Sequence, residues 1–212
     1  MNVLNQMGIQ QWSLRQESTQ NSENSQSQSS ELNTLGWEEL HSLVESGAHC
    51  ECCKNNGGIL GVGDENADFI FIVDAPSLKD IEVQQLVSGR KGKLFDAILH
   101  SIGMSRENSY LCSVMKCSSN NNNNSNFSAE CGKLIQRQIE LVNAKIVLTF
   151  GETTAQAILR SNESLSLLRT ASSNNLHSNT PVVSTYSLQQ MLDKPELKAQ
   201  VWQDLKTCLT FL

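Results

Sequence analysis

The residues of this 212-residue chain whose types and spacing best suit chemistry are cysteines. Cys50 and Cys53 form a C-x-x-C pair, and Cys117 and Cys131 follow a predicted strand. Four thiolates of this kind bind zinc or a [4Fe–4S] cluster, and their spacing does not choose between the two. Small buried thiols without a metal are the alternative. The cysteines therefore predict a metal centre at Cys50, Cys53, Cys117 and Cys131.

The elements that must position these cysteines alternate between strands and helices. Continuous apolar runs predict strands at 67–73, 110–115, 145–150 and 181–185. Apolar residues at helical spacing predict helices at 37–44, 93–102, 129–142, 152–159 and 196–212. Strands joined through helices pair in parallel, which predicts an α/β fold: a three-layer α/β/α sandwich with a mainly parallel central sheet.

The N-terminal region differs in composition from the rest of the chain. Residues 17–30 hold no apolar side chain, so residues 17–35 are predicted to be a disordered linker. The preceding residues 1–16 carry Met7, Ile9, Trp12 and Leu14, which we interpret as a partner-binding peptide. The alternative is that Trp12 packs onto its own domain. Residues 36–212 then form one domain, in which 118–126 is an Asn-rich loop.

Charge and hydropathy limit the function classes. The formal net charge is −6 and the pI is about 5.2, which argues against holding nucleic acid by general phosphate attraction. Direct DNA binding is therefore expected to be weak or absent. Neither a membrane span nor an export signal is recognisable, so a cytoplasmic location with reduced thiols is expected.

Residues 6–15, QMGIQQWSLR, resemble the N-terminal peptide of the psi subunit of bacterial DNA polymerase III. The resemblance implies that this peptide binds the clamp-loader ATPase subunit (gamma/tau). It also implies that the domain binds the chi subunit, and through chi the single-stranded-DNA-binding protein. Residues 199–205 resemble the last helix of the same family.

A second resemblance covers about 150 residues, from Cys50 to Trp202, and is to the family 4 iron–sulfur uracil-DNA glycosylases. The matching stretches are 50–53, 68–77, 89–96, 102–106, 110–117, 131, 138–142, 145–151 and 155–157. The resemblance implies a uracil-DNA glycosylase-like fold. It also implies a structural [4Fe–4S] cluster on the four cysteines of the predicted metal centre.

Four positions depart from the catalytic pattern of that family. Asp74 stands in place of the glutamate in a Gly-Glu-Ala-Pro-Gly loop, and Val87 replaces the aromatic residue that stacks on uracil. Ser113 takes the place of the asparagine that reads the base edge, and Ser187 that of the histidine that donates to the leaving oxygen. These degenerate positions predict no catalytic residues and no glycosylase activity.

Three function hypotheses follow from these patterns. The main one is a non-catalytic accessory (psi) subunit that bridges the clamp-loader ATPase collar to chi during DNA replication. The alternative is a uracil-DNA glycosylase-family iron–sulfur protein that acts in DNA repair. The third is a redox-responsive regulator whose cluster controls assembly.

Overall fold

A computed structural model describes residues 34–47, 58–118, 129–170 and 180–211, and for residues 129 and 130 the backbone alone. The chain divides into two units, Met1–Glu31 and Leu32–Leu212, of which the first lies outside the described residues. The predicted peptide 1–16 with Met7, Ile9, Trp12 and Leu14 therefore also lies outside them. Within the described ranges, no helix is long and apolar enough to cross a membrane.

A five-stranded sheet forms the centre of the second unit. Its strands are β1 (Gly61–Gly63), β2 (Phe69–Val73), β3 (Tyr110–Ser113), β4 (Ile146–Phe150) and β5 (Val182–Thr185), in the order β1-β3-β2-β4-β5. Strands β3, β2, β4 and β5 pair in parallel, whereas β1 pairs antiparallel with β3. The sheet is therefore mixed, with a parallel centre as predicted.

Eight helices surround the sheet in the described residues. They are α1 (Trp37–Glu45), α2 (Leu78–Glu82), α3 (Gly89–Ser101), α4 (Ala129–Val142), α5 (Glu152–Leu159), α6 (Leu165–Thr170), α7 (Leu188–Asp193) and α8 (Leu197–Leu209). A 3-10 turn, Arg106–Asn108, precedes β3. The sequence did not reveal β1, α2, α6 or α7, because elements of three to six residues are too short to show a periodicity.

Strand β2 shows why the core has two faces. All five of its residues are buried, and successive side chains point to opposite sides of the sheet. Phe69 and Phe71 pack with residues of α3, α7 and α8, whereas Ile70 and Ile72 pack with residues of α4 and α5. Burial of each such side chain contributes about 1.5–3 kcal/mol. The three-layer α/β/α architecture is therefore confirmed.

Candidate functional site

The candidate site lies at the edge where the parallel strands end. Asp74 follows β2, Ser113 ends β3, Gly151 follows β4, and Ser187 lies two residues beyond β5. The register pairs Val73 with Ser113, so the ends of β2 and β3 are adjacent. Ligands of open α/β sheets bind outside the carboxyl ends of the strands. The structure thus brings Asp74, Ser113 and Ser187 to the edge where a substrate is expected.

Asp74 is the acidic residue of this edge. Its side chain is exposed, but the protein around the carboxyl still removes part of its hydration, which raises its pKa above the ordinary value of 3.8. The positive charge of Lys91, in the first turn of α3, opposes that rise. Backbone bonds hold the position, because the Met115 N–H donates to the Asp74 carbonyl at 3.0 Å. A carboxylate with a raised pKa suits proton transfer near neutral pH better than an ordinary one.

The two serines supply hydroxyl groups at the same edge. Ser113 is wholly buried, and its Oγ has no hydrogen-bond partner among the described residues. Ser187 is half-buried and caps α7, with its Oγ accepting from the Gln190 N–H at 3.2 Å. That bond uses a lone pair and leaves the Ser187 hydroxyl hydrogen able to donate.

Val87 lies in the loop before α3 and is 7% exposed. It packs within the core cluster that includes Phe95, Phe150 and Leu188. Its φ is +56°, in the left-handed region that a β-branched residue rarely adopts. Such strain persists only where the surrounding structure enforces it.

Two of the four predicted metal ligands are described, and both are buried. Cys117 is 2% and Cys131 3% exposed, while Cys50 and Cys53 lie outside the described residues. Among the described side chains no group of three or more metal-ligating residues gathers, so the metal centre stays a prediction.

The residues next to the segment 48–57 show which part of the domain the chain reaches directly after Cys50 and Cys53. A Cβ on Gly58 would lie 2.9 Å from both the Lys116 carbonyl oxygen and Val44 Cγ1, so these parts of the chain touch. The Ile59 N–H donates to the Lys116 carbonyl at 2.9 Å. Gly58 and Ile59, which follow this segment in the chain, therefore lie beside Lys116, the residue before Cys117.

Lys116, a buried lysine next to these cysteines, was not indicated by the sequence patterns. Lys116 is wholly buried, and its Nζ donates to the carbonyls of Ser113 (2.7 Å) and Leu60 (3.2 Å) and to Gln138 Oε1. Burial lowers the pKa of Lys116, opposed by the sulfur atoms of Cys112 and Cys131. The one sequence feature that could have indicated Lys116 is its position between the end of a predicted strand and Cys117.

A second buried network joins α6, β5 and α8 near Ser187. Arg169 donates to both carboxylate oxygens of Asp204, at 2.9 and 3.0 Å, and lies 4.5 Å from the centre of the Tyr186 ring. Thr185 Oγ1 donates to the same carboxylate at 2.5 Å. The sequence alone gave no reason to pair residues 35 positions apart.

Comparison with known proteins gives the family. A model described as the uracil DNA glycosylase superfamily matches residues 60–206. The chain is 31% identical over 128 residues to a type-4 uracil-DNA glycosylase of Archaeoglobus fulgidus, covering 57% of this chain and 64% of the relative. It is 28% identical over 123 residues to the Thermotoga maritima protein of the same name, covering 55% and 64%. The chain thus spans less than two thirds of the length of these relatives.

These findings correct two expectations. The psi-subunit identification is not supported, and the expected non-catalytic function in DNA replication is wrong, because the relatives are named as uracil-DNA glycosylases, which are enzymes. The short N-terminal resemblance misled because it concerns ten residues, whereas the matched model spans the whole sheet. The predicted contacts with the clamp-loader ATPase subunit, chi and single-stranded-DNA-binding protein stay predictions.

The strand-end site and the matched region coincide, since Asp74, Val87, Ser113 and Ser187 all lie within residues 60–206. The chain therefore belongs to the uracil DNA glycosylase superfamily.

Proposed function

We propose that this protein is a DNA-repair glycosylase that releases uracil from DNA, with the strand-end edge as its active site. The observation that carries the proposal is the exposed Asp74 carboxyl of raised pKa directly after β2, at the strand end where Val73 pairs with Ser113 of β3. The names of the relatives support the same substrate.

The proposed reaction is hydrolysis of the bond between uracil N1 and the sugar C1′. The C1′–N1 bond breaks and its electron pair leaves with uracil, while a water oxygen forms the new bond to C1′. Asp74 orients this water and accepts its proton as the bond forms. Since the carboxylate forms no covalent bond with the sugar in this reaction, we attribute the catalysis to the positioning of the water and of the base.

The other positions at the edge take supporting roles. In this proposal Ser187, which caps α7, donates its hydroxyl hydrogen to a uracil oxygen on which negative charge develops. Val87 is 7% exposed and has no ring, so stacking on uracil contributes less to base binding here than it would with an aromatic residue. We therefore expect a slow enzyme that favours uracil in single-stranded DNA, where the base does not have to be unpaired.

The proposal includes a [4Fe–4S] cluster on Cys50, Cys53, Cys117 and Cys131. Its support is the family resemblance and the return of residues 58–59 to the Lys116 carbonyl, beside Cys117. When bound, the cluster would cross-link the start of the domain to the segment after β3 and so stabilise the fold.

The test is release of uracil from a labelled single-stranded oligonucleotide by the full chain, with Asp74→Asn as the matched variant. The amide keeps the size of the side chain but cannot accept the proton, so we expect a loss of about 100-fold or more in rate. Equal rates in the two proteins would remove Asp74 from the mechanism. Absence of uracil release by the unaltered chain would overturn the proposed function.

A further inference from the structure

The Val87–Ser88 peptide is held on both of its polar atoms. This peptide ends the loop 83–88, which joins α2 to α3 and carries the strained Val87. Its carbonyl and its N–H each meet a charged side chain from a different part of the domain. Exposed loop peptides can satisfy their N–H and C=O groups with water, whereas both groups of this peptide bond to charged side chains.

On the carbonyl side the partner is Arg106, from the 3-10 turn before β3. Its Nη2 donates to the Val87 carbonyl at 2.9 Å, and its Nη1 donates to the Leu86 carbonyl at 2.7 Å. The guanidinium is fixed in turn by Asp96 Oδ1, 2.6 Å from Nε, and lies 5.2 Å from the centre of the Phe95 ring. A guanidinium presents five N–H donors in a rigid planar fork, which lets Arg106 bond two carbonyls and a carboxylate in one fixed geometry.

On the N–H side the partner is Asp80, which is 6% exposed. Its Oδ1 accepts the Ser88 N–H at 2.7 Å, while its Oδ2 accepts the Ser77 N–H at 2.8 Å and the Ser77 hydroxyl at 2.7 Å. Ser77 lies three residues after Asp74. One carboxylate therefore ties the segment that carries Asp74 to the loop that carries Val87.

The first turn of α3 closes tightly on the same peptide. A Cβ on Gly92 would lie 2.5 Å from the Val87 carbonyl oxygen and 3.4 Å from Arg106 Nη2. Only a glycine leaves room for this approach. The loop and the helix that carries Lys91 are thus held as one unit.

We propose that Asp80 and Arg106 are positioning residues that clamp the Val87–Ser88 peptide and so fix Val87 relative to Asp74 for base excision. The inference rests on the proposed function. Neither side chain needs to touch the DNA, since each acts through the backbone atoms that it holds. A misplacement of about 1 Å at such a site can lower a rate by about 100-fold.

The experiment compares Asp80→Asn and Arg106→Lys with the unaltered full chain, well below the melting temperatures of all three. The rate of amide hydrogen exchange at Ser88 measures whether the Ser88 N–H is still held by the clamp. The single-turnover rate of uracil release measures the effect of the clamp on base excision. We expect Ser88 exchange to rise in both variants and the single-turnover rate to fall by about 10–100-fold. The oligonucleotide concentration that gives half the maximal rate should change less than about threefold, because neither side chain needs to touch the DNA.

Asp68→Asn is the matched control, since Asp68 makes an exposed pair with Lys145 at the start of the sheet. This control should change neither Ser88 exchange nor the rate. Faster Ser88 exchange with unchanged rates in both variants would overturn the positioning role while leaving the proposed function intact. Unchanged Ser88 exchange would overturn the clamp itself. An unaltered chain that releases no uracil would instead overturn the proposed function, and this role with it.

Discussion

At the scale of single residues, the site depends on groups whose chemistry is set by their surroundings. Asp74 is an ordinary aspartate in sequence, yet desolvation raises its pKa and Lys91 opposes the rise. Lys116 is an ordinary lysine in sequence, yet three acceptors satisfy its buried Nζ. Both effects require neighbours from distant parts of the chain.

The pKa of Asp74 predicts a pH profile for uracil release. The carboxylate must be ionised to accept a proton, and desolvation raises its pKa, so the rate should rise with pH through a value above the ordinary 3.8. Lys91→Met removes the charge that opposes this rise and should move the acid limb to higher pH. Single-turnover rates between about pH 4 and pH 8 measure the limb. An acid limb that stays in place would show that Lys91 does not influence Asp74.

Lys116 predicts a large effect on stability. Lys116→Met keeps the length of the side chain but removes the donor from the Ser113 carbonyl and from Gln138 Oε1, which are buried. Unsatisfied buried groups cost about 1–3 kcal/mol each, so the free energy of unfolding should fall by at least that amount. Urea denaturation measures it. The exposed Lys93 gives the control, since Lys93→Met should change stability by less than about 0.5 kcal/mol.

At the scale of elements, the end of β5 is fixed by side chains from two helices, one before it and one after it in the chain. The Arg169–Asp204 pair and Thr185 connect α6, α8 and the end of β5. Ser187 follows β5 by two residues, so this network also positions the cap of α7. The site is therefore built by packing between elements.

The Arg169–Asp204 network predicts a stability difference between two aspartate variants. Asp204→Asn leaves a largely buried guanidinium without its carboxylate, and each hydrogen bond to a charged group contributes about 1.5–3 kcal/mol. Asp68→Asn removes an exposed pair with Lys145, for which about 0–1 kcal/mol is expected. Urea midpoints compare the two. Equal midpoints would mean that the network does not hold β5 to α8.

At the scale of the whole molecule, a cluster would cross-link two parts of the chain that meet at one end of the β1–β3 pair. The segment before β1 and the segment after β3 meet where the Ile59 N–H donates to the Lys116 carbonyl. A metal centre that includes Cys117 would add a covalent cross-link at this contact. Binding that occurs only in the folded state stabilises that state.

The cluster predicts linked losses of iron and stability. Protein reconstituted with iron and sulfide should be brown, and Cys117→Ser should lower both the iron content and the melting temperature. Cys208→Ser is the control, because Cys208 is buried in α8 with its pKa raised to about 12 by desolvation and lies among core residues. This control should keep its iron. Unchanged iron content in Cys117→Ser would remove that cysteine from the centre.

The sequence by itself determined the three-layer architecture and most of its elements. The apolar runs of β2 and β4 are continuous because both faces of these strands are buried, and burial of that kind is visible in composition. Helix α5 was predicted at its observed bounds because Gly151 before it and an apolar face mark it locally. Asp74, Val87, Ser113 and Ser187 were singled out through the family resemblance as positions of a lost active site, and their role in a reaction stays a prediction.

Only the tertiary structure decided which distant groups act together. The antiparallel β1, the Lys116 network and the Arg169–Asp204 pair join residues far apart in the chain, and no local pattern records such pairings. The same holds for the Val87–Ser88 peptide, whose partners Asp80 and Arg106 lie on opposite sides of it in sequence. Hydrogen bonding and desolvation depend on distance in space, and the fold alone sets that distance.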